Sequence, residues 1–331
     1  MSVRRISPVW WPALGLALML VANGLFDPGF LRVTILDGHL YGSPVDILNQ
    51  GSRVMLLALG MTLVIATGGV DLSVGSVVAI SASVCAHLVA RGTPLPLVIA
   101  AAVGTGLAAG AINGLLVARL GLQPIVATLI LMVAGRGVAQ LITDGQVLII
   151  ASPAFAFLAN GYVLGIPCAV WIVGGLFVLA HVALRRTAAG LFFEAVGENE
   201  AAAHIAGLAA ARIKALAYVV SGGCAGLCGA LAASHVQAAD AYRAGENMEL
   251  DAIFAVVVGG TALTGGRFFL WGSLVGALLL QTLTLGLYNF GVSPAVAPVP
   301  KALLIVAVAL LQAEVVRRWA RGLWSRKGAA A

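Results

Sequence analysis

A break in a long apolar stretch constrains this chain more than any other feature. Between Met61 and Ile80, an apolar helix runs into two glycines, an aspartate and a serine, and then resumes as a second apolar helix. Non-helical backbone at membrane depth is tolerated only where it is buried in protein or lines a wet cavity, and an intramembrane carboxylate is costly enough to mark a site. The break therefore predicts a translocation pathway that includes Asp71 and Ser73. The alternative is a tight cytosolic turn in which Asp71 caps the next helix.

Composition identifies an integral membrane protein. Of the 331 residues, 61% are hydrophobic and 10% are charged, against about 25% charged in a typical soluble domain. A span needs about 20 apolar residues, and ten windows qualify: residues 9–26, 47–67, 73–90, 96–118, 124–143, 166–184, 213–235, 249–264, 270–290 and 298–316. We expect an all-α polytopic bundle of about ten transmembrane helices. No A-x-A-like cleavage site follows the first window, which predicts an uncleaved first helix.

Charged residues orient this bundle. With the N-terminus inside, the predicted cytoplasmic segments hold 13 of the 19 Lys and Arg residues, and acidic residues such as Asp46, Asp240 and Glu249 gather on the opposite side and its helix ends. Because basic residues favour the cytoplasmic side, we expect both termini in the cytoplasm. The net charge of +6 is spread over these loops rather than collected on one soluble face, which argues against a nucleic-acid partner.

Four motifs carry a resemblance to one transporter family. GMTLVIATGGVDLSVGS (residues 60–76) resembles the signature of the membrane subunits of ribose/xylose-type ATP-binding cassette (ABC) sugar importers. SPVDILN (43–49), ATLILMVAGRGVAQLIT (127–143) and MELDAIFAVVVGGTALTGGR (248–267) look most like the permeases that import galactofuranose. The segments occur in the family's order between residues 37 and 312, so they are more specific together than any glycine-rich run alone.

The resemblance implies a type II-like ABC importer permease, in which residues 1–331 form a single transmembrane permease domain in the bacterial inner membrane. It implies that the chain imports a monosaccharide, galactofuranose or a related pentose or hexose, as one of two permease chains. It also implies a separate ATPase subunit that binds ATP and Mg²⁺, and a periplasmic sugar-binding protein. The permease itself would be no enzyme and would bind no cofactor.

A short helix in the longest polar interruption, residues 185–214, suggests a docking element. Asn199 can cap it, Glu200 lies in its first turn, where the helix dipole favours an anion, and Gly207 can end it. A helix of about two turns is marginal in water, so we expect a partner. The resemblance implies that this coupling segment contacts the ATPase through Glu198, Asn199, Glu200, Ala201, Ala202 and Gly207. The alternative is an amphipathic loop that lies on the lipid surface.

Polar residues in the predicted fourth and fifth helices form a second candidate group for the substrate pathway, comprising Asn113, Thr128, Arg136 and Gln140. Thr128, Arg136 and Gln140 fall roughly on one helix face because their spacings are near whole turns. A charged Arg136 should point into the bundle or a wet cavity. It could bind sugar hydroxyls or anchor two helices through backbone carbonyls. We favour the anchor, because a neutral sugar needs donors and acceptors more than a fixed charge.

Other signatures are incomplete, so no catalytic or metal-binding residue is predicted. GGTALTGGR (259–267) lacks the Lys and the hydroxyl residue of a phosphate loop, and no H-E-x-x-H or G-x-S-x-G occurs. Cys224 and Cys228 lie one helical turn apart, where small packing residues are favoured over a metal or redox pair. A faint repeat relates GGVDLSVG (68–75) to GGTALTGG. The rival interpretations are a secondary transporter or channel without an ATPase, and a membrane enzyme.

Overall fold

The computed structural model describes residues 10–36 and 38–312, most of which are helical. In this part of the chain there are thirteen helices and six short strands, in the order α1 (Trp10–Phe26), β1 (Thr34–Leu36), β2 (His39–Tyr41), α2 (Ser43–Ala66), α3 (Val74–Ala90), α4 (Leu95–Ala118), α5 (Pro124–Thr143), β3 (Leu148–Ile149), α6 (Pro153–Asn160), β4 (Tyr162–Val163), β5 (Ile166–Pro167), α7 (Cys168–Arg186), α8 (Ala189–Glu198), α9 (Glu200–Ile205), α10 (Ala210–Val236), β6 (Ala238–Ala239), α11 (Met248–Val258), α12 (Leu270–Asn289) and α13 (Pro298–Gln312). The basic residues near the two chain ends, on which the orientation partly depends, lie outside the described residues.

Long apolar helices make this a multi-pass membrane protein. Within the described ranges, six helices are long and apolar enough to cross a membrane, namely α2, α4, α5, α7, α10 and α12. The apolar helices α1 and α3 are shorter. Each of the ten predicted windows overlaps a helix, with residues 9 and 313–316 of the first and last windows outside the described residues. The count of ten membrane spans is not confirmed.

The span predicted at residues 249–264 is wrong in its extent. α11 has 11 residues, about 16 Å at 1.5 Å per residue, which is well short of the roughly 30 Å of a bilayer core. It ends at Val258, and Gly260 just beyond it adopts a left-handed conformation with φ 96°. A hydropathy window does not detect the end of α11, because Ala262 and Leu263 continue the apolar run.

α2 and α11 end in the same helix-termination motif, within the two segments that the faint sequence repeat relates. After α2, the N–H of Gly68 donates to the carbonyl of Ile65, and the N–H of Gly69 donates to that of Val64. The same pair of bonds follows α11, with Gly260 in the place of Gly68. Both glycines have positive φ, 78° and 96°, as this type of helix end requires. The two turns therefore correspond one residue out of register with the sequence match.

α4 and α10 pack backbone to backbone. A Cβ at Gly106 would overlap the carbonyl oxygen of Gly222, and a Cβ at Gly222 would overlap that of Gly106. Cβ atoms at Gly110 and Gly226, one turn away, would overlap the backbone of the facing helix in the same way. Small residues on facing helices allow this proximity in lipid, where apolar burial between helices gains little. The glycine spacing of these two helices thus serves packing within the subunit.

Three antiparallel pairs of short strands organise the connecting loops: β1 with β2, β4 with β5, and β3 with β6. The first two hairpins contact each other. The N–H of Leu40 donates to the carbonyl of Gly165 (2.9 Å), and the rings of His39 and Tyr162 stack with centroids 4.5 Å apart. The third pair joins the segment after α5 to the segment after α10.

Candidate functional site

The break between α2 and α3 runs back into the bundle. After α2 ends at Ala66, residues 67–73 bring Asp71 beside Ser221, near the midpoint of α10, and beside Asn113 of α4. α10 has 27 residues, about 40 Å at 1.5 Å per residue, so its midpoint lies deep in the bundle. Asp71 is 1% exposed. The carboxylate therefore lies inside the protein rather than in a turn at its surface.

Four donors surround the Asp71 carboxylate. Oδ1 accepts from the N–H of Ser73 (3.0 Å), the hydroxyl of Ser73 (2.6 Å) and the amide of Asn113 (3.4 Å), and Oδ2 accepts from the hydroxyl of Ser221 (2.9 Å). Among the described residues no cation pairs with it. Charge-assisted hydrogen bonds are roughly twice as strong as neutral ones, so these donors offset part of the cost of burying the charge. They also join the start of α3 to α4 and α10.

Two side-chain oxygen atoms close to this carboxylate have no hydrogen-bond partner within the described structure. They are the hydroxyl oxygen of Tyr218 and the side-chain amide oxygen (Oδ1) of Asn113. Both side chains are fully buried, and a Cβ at Gly69 would meet the Tyr218 hydroxyl at 2.5 Å. A buried unsatisfied polar group costs about 1–3 kcal/mol. The site thus retains unused hydrogen-bonding capacity. We call these residues the polar cluster: Asp71, Ser73, Asn113, Tyr218 and Ser221.

The polar cluster contains three of the residues that the sequence assigned to the pathway, Asp71, Ser73 and Asn113. Thr128 lies at its edge, because its hydroxyl is 3.4 Å from the carbonyl oxygen of Val70, the residue before Asp71. The Asp71 carboxylate also accepts from the Ser73 N–H within the turn that leads into α3, but the N-cap of α3 is Ser73, and no side chain caps this helix. Asp71 therefore has a local role in this turn as well as contacts to α4 and α10.

The sequence motifs did not indicate Tyr218 and Ser221 as site residues. They are three residues apart on α10 and so share one helix face, which is the signal that could have identified them. Isolated hydroxyl residues on an apolar helix are common, however, and nothing local to α10 indicates that this face meets Asp71. Their role depends on how α10 packs against the break.

Arg136 makes no hydrogen bond to the polar cluster. Its Nη1 donates to three backbone carbonyls, those of Ala241 (3.2 Å), Tyr242 (3.4 Å) and Ala244 (2.5 Å). This is the geometry that the anchoring interpretation predicts, with α5 holding the segment that precedes α11. Gln140, one turn later on α5, forms no side-chain hydrogen bond within the described part of the chain.

α11 begins against the first turn of α3. A Cβ at Gly75 would overlap both the carboxylate of Glu249 and the carbonyl oxygen of Gly245. Glu249 lies in the first turn of α11, a helix end as the sequence predicts, and it also packs against a residue just beyond the break. The reason is that residues 237–247 enter the bundle before α11 starts, which hydropathy cannot indicate. The anchor at Arg136 thereby holds this segment against the start of α3.

We expect Arg136→Met to destabilise the protein. The substitution leaves three carbonyls of residues 241–244 without their donor, and hydrogen bonds to a charged group contribute about 1.5–3 kcal/mol. The midpoint of thermal unfolding in detergent should therefore fall by a few degrees. Gln140→Met on the same helix is the matched control and should leave the midpoint unchanged. An unchanged midpoint for both variants would contradict the anchoring role.

α8 and α9 form a short helical insertion between α7 and α10. The side chain of Asn199 accepts from the N–H of Ala202 (2.9 Å), which confirms the predicted N-cap. Glu200 pairs with Lys214 (2.8 Å), and Gly207 follows the last turn with φ 86°, as expected for a helix end. α9 has six residues, of which only Ala203 is buried. Most of its surface, including Ala201 and Ala202, is exposed and available to a partner.

Other features that resemble sites lie apart from the polar cluster. A cavity of about 580 Å³ opens beyond the end of α10, lined by residues that include Ser152, Phe157, Asn160 and Gln237. It contains no residue of the polar cluster. In the part of the chain that the structure describes, no group of three or more His, Cys, Asp or Glu side chains is placed to hold a metal ion.

Comparison with known proteins identifies related permeases. The permease component of branched-chain amino acid transport systems is the family that matches residues 43–311. The chain is 47% identical over 321 residues to the galactofuranose transporter permease protein YtfT of Escherichia coli, covering 96% of this chain and 94% of that protein. It is 36% identical to the fructose import permease protein FruF of Bifidobacterium longum (93% of this chain, 88% of that protein) and 36% identical to the ribose import permease protein RbsC of Haemophilus influenzae (90% of each). No solved structure matches the chain.

Proposed function

The chain belongs to the permease component family of branched-chain amino acid transport systems, and we propose that it is the membrane-spanning permease subunit of an ABC importer for a monosaccharide. One observation carries the proposal: similarity over nearly the whole chain to import permeases named for galactofuranose, fructose and ribose. The highest of these identities favours galactofuranose or a related pentose or hexose as the substrate. The protein is a transport permease and not an enzyme.

The pathway that we propose passes the polar cluster. Asp71, Ser73 and Asn113 would face it, with Thr128 at its edge, because their hydroxyl, amide and carboxylate groups can exchange hydrogen bonds with sugar hydroxyls. The unpaired atoms of Tyr218 and Asn113 support this assignment. Arg136 would act through the segment that it anchors. Gln140 stays a prediction of the sequence alone.

Partners would supply energy and specificity. We propose a separate ATPase that binds ATP and Mg²⁺, a periplasmic sugar-binding protein on the outer face, and a second permease chain. Residues 185–214 of the single permease domain would contact the ATPase on the cytoplasmic side, through Glu198, Asn199, Glu200, Ala201, Ala202 and Gly207. The short, capped and largely exposed α9 supports this role, since a helix of six residues has little stability of its own.

The membrane arrangement follows from the same proposal. We propose a type II-like permease with about ten transmembrane helices in the bacterial inner membrane and both termini in the cytoplasm. The distribution of basic residues supports this orientation. It places the ends of α2 and α11 on the cytoplasmic side, next to the coupling segment.

Purified alone, the chain should not hydrolyse ATP, because it contains no phosphate loop. Purified through an affinity tag in mild detergent from its own organism, it should bring with it an ABC ATPase, identified by mass spectrometry, and ATP hydrolysis should appear with that subunit. A tagged, unrelated multi-pass membrane protein is the control for non-specific capture. ATP hydrolysis by the chain without any ATPase subunit would count against the proposal. So would repeated recovery of the chain without an ATPase from membranes that take up sugar.

A further inference from the structure

The end of α8 packs directly on the end of α2. A Cβ at Gly197 would overlap the carbonyl oxygen of Ala66, the last residue of α2, and would lie 2.5 Å from the nitrogen of Gly266. The N–H of Gly266 itself donates to the carbonyl of Ala66 (2.9 Å). Three segments that are distant in sequence thus meet at one carbonyl group, with no side chain between them.

Two further glycines extend this contact. A Cβ at Gly265 would lie 2.9 Å from both the carbonyl oxygen of Gly197 and the nitrogen of Gly68. Gly265 and Gly266 have φ of 87° and 92°, which side chains other than glycine rarely adopt. We call Gly68, Gly197, Gly265 and Gly266 the glycine seam. Backbones in direct contact leave no free space between the segments. A shift of one segment must therefore move the others.

The glycine seam connects two parts of the molecule that the proposed function treats separately. On one side, Gly197 precedes Asn199, whose side chain caps α9. On the other, the chain runs from Ala66 through Gly69, which touches Tyr218, to Asp71 in the polar cluster. The route from the coupling segment to the break is therefore a few residues of backbone rather than a path through the bundle.

We infer that Gly197 is a positioning residue through which movement of α9 displaces the break between α2 and α3. A shift of the ATPase-bound segment would push on the Ala66 carbonyl and on the turn at Gly265 and Gly266, and the break would carry the polar cluster with it. Packed interfaces of this kind change between discrete arrangements, so a small displacement is not dissipated. The inference rests on the proposed function, because it assigns a role to the coupling segment.

Gly197→Ala tests the inference, with Gly174→Ala as the matched control. Gly174 is also a glycine within a helix, but a Cβ there would meet nothing within 4 Å. We expect Gly197→Ala to lower ATP-driven uptake per folded complex by about tenfold, the scale of a typical coupling effect, while the ATPase is still recovered in normal amount. ATP hydrolysis should no longer respond to the sugar-loaded binding protein. Gly174→Ala should behave as the unmodified protein, and normal uptake by both variants would overturn the inference.

Hydrogen exchange on the unmodified complex tests the same link without relying on a variant that folds. On addition of ATP, peptides covering residues 66–73 and 262–266 should change their exchange together with peptides covering residues 198–207. A change confined to residues 198–207 would overturn the inference and leave the proposed function in place. If the unmodified chain recovers no ATPase at all, both the inference and the proposed function fall.

Discussion

Ala202→Pro is expected to lower ATP-driven sugar uptake by about tenfold or more, the range of a strong coupling effect, while the chain still inserts into the membrane in normal amount. The N–H of Ala202 donates to the side chain of Asn199 (2.9 Å), and proline has no N–H to donate. Proline also disfavours the helical conformation of the residue before it, Ala201. Loss of an N-cap alone costs about 1 kcal/mol, which a helix of six residues cannot make up elsewhere.

The measurement is uptake of tritiated D-galactose, D-fructose and D-ribose by cells, normalised to the chain present in the membrane, together with the amount of ATPase recovered with the tagged chain. Ala202→Ser is the matched control, because it keeps the N–H at the same position. Only for the proline variant do we expect reduced recovery of the ATPase, or ATP hydrolysis that does not respond to the sugar-loaded binding protein. If α9 merely rests on lipid, neither readout should change. Normal recovery and normal uptake in Ala202→Pro would remove the structural argument for a coupling role.

Asp71→Asn should reduce uptake per folded molecule by about tenfold, because each hydrogen bond to a charged group contributes about 1.5–3 kcal/mol. The carboxylate accepts from three side chains and one N–H through both of its oxygens. Asparagine keeps one acceptor oxygen and has a donating amino group in place of the second oxygen. The bonds from Ser73 are kept only if the amino group faces Ser221, whose hydroxyl must then accept instead of donate. Every remaining bond then loses its charged acceptor, so the break is held less firmly between α3 and α10.

Folded protein and transport must be measured separately for this variant. Size-exclusion chromatography in detergent gives the folded amount, and uptake of the three tritiated sugars gives the activity. Ser83→Ala is the control, since Ser83 is buried but its hydroxyl donates only to the Ala79 carbonyl of its own helix (2.8 Å). We expect transport to fall more than folding in Asp71→Asn, and neither to fall much in Ser83→Ala. Normal uptake per folded molecule would leave Asp71 with only a local structural role in the turn before α3.

Features that depend on local chemistry were predictable from the sequence. Apolar windows fall on helices because hydropathy and helix length are properties of one segment. The cap at Asn199 and the end at Gly207 follow from side-chain and backbone preferences within a single turn. The break around Asp71 was visible for the same reason, since two adjacent glycines interrupt an apolar run.

Features that depend on which surfaces meet were not predictable. The depth of Asp71 is set by the packing of residues 67–73 against α10, and Ser221 and Tyr218 carry no signal of that contact. The short α11 and the position of Glu249 depend on a loop that enters the bundle, which an apolar window cannot distinguish from a span. The glycine seam likewise requires knowing that Gly197 meets Ala66 and Gly266, three positions far apart in the chain.

Reconstitution into liposomes measures whether ATP, acting through a separate subunit, drives sugar uptake through this chain. The chain would be incorporated with the ATPase recovered alongside it, with ATP enclosed, the binding protein outside and tritiated D-galactose, D-fructose or D-ribose as the probe. We expect sugar to accumulate only when hydrolysable ATP is enclosed, and we expect a protonophore to have no effect. Accumulation driven by an imposed proton gradient without ATP would contradict this expectation and would identify a secondary transporter instead.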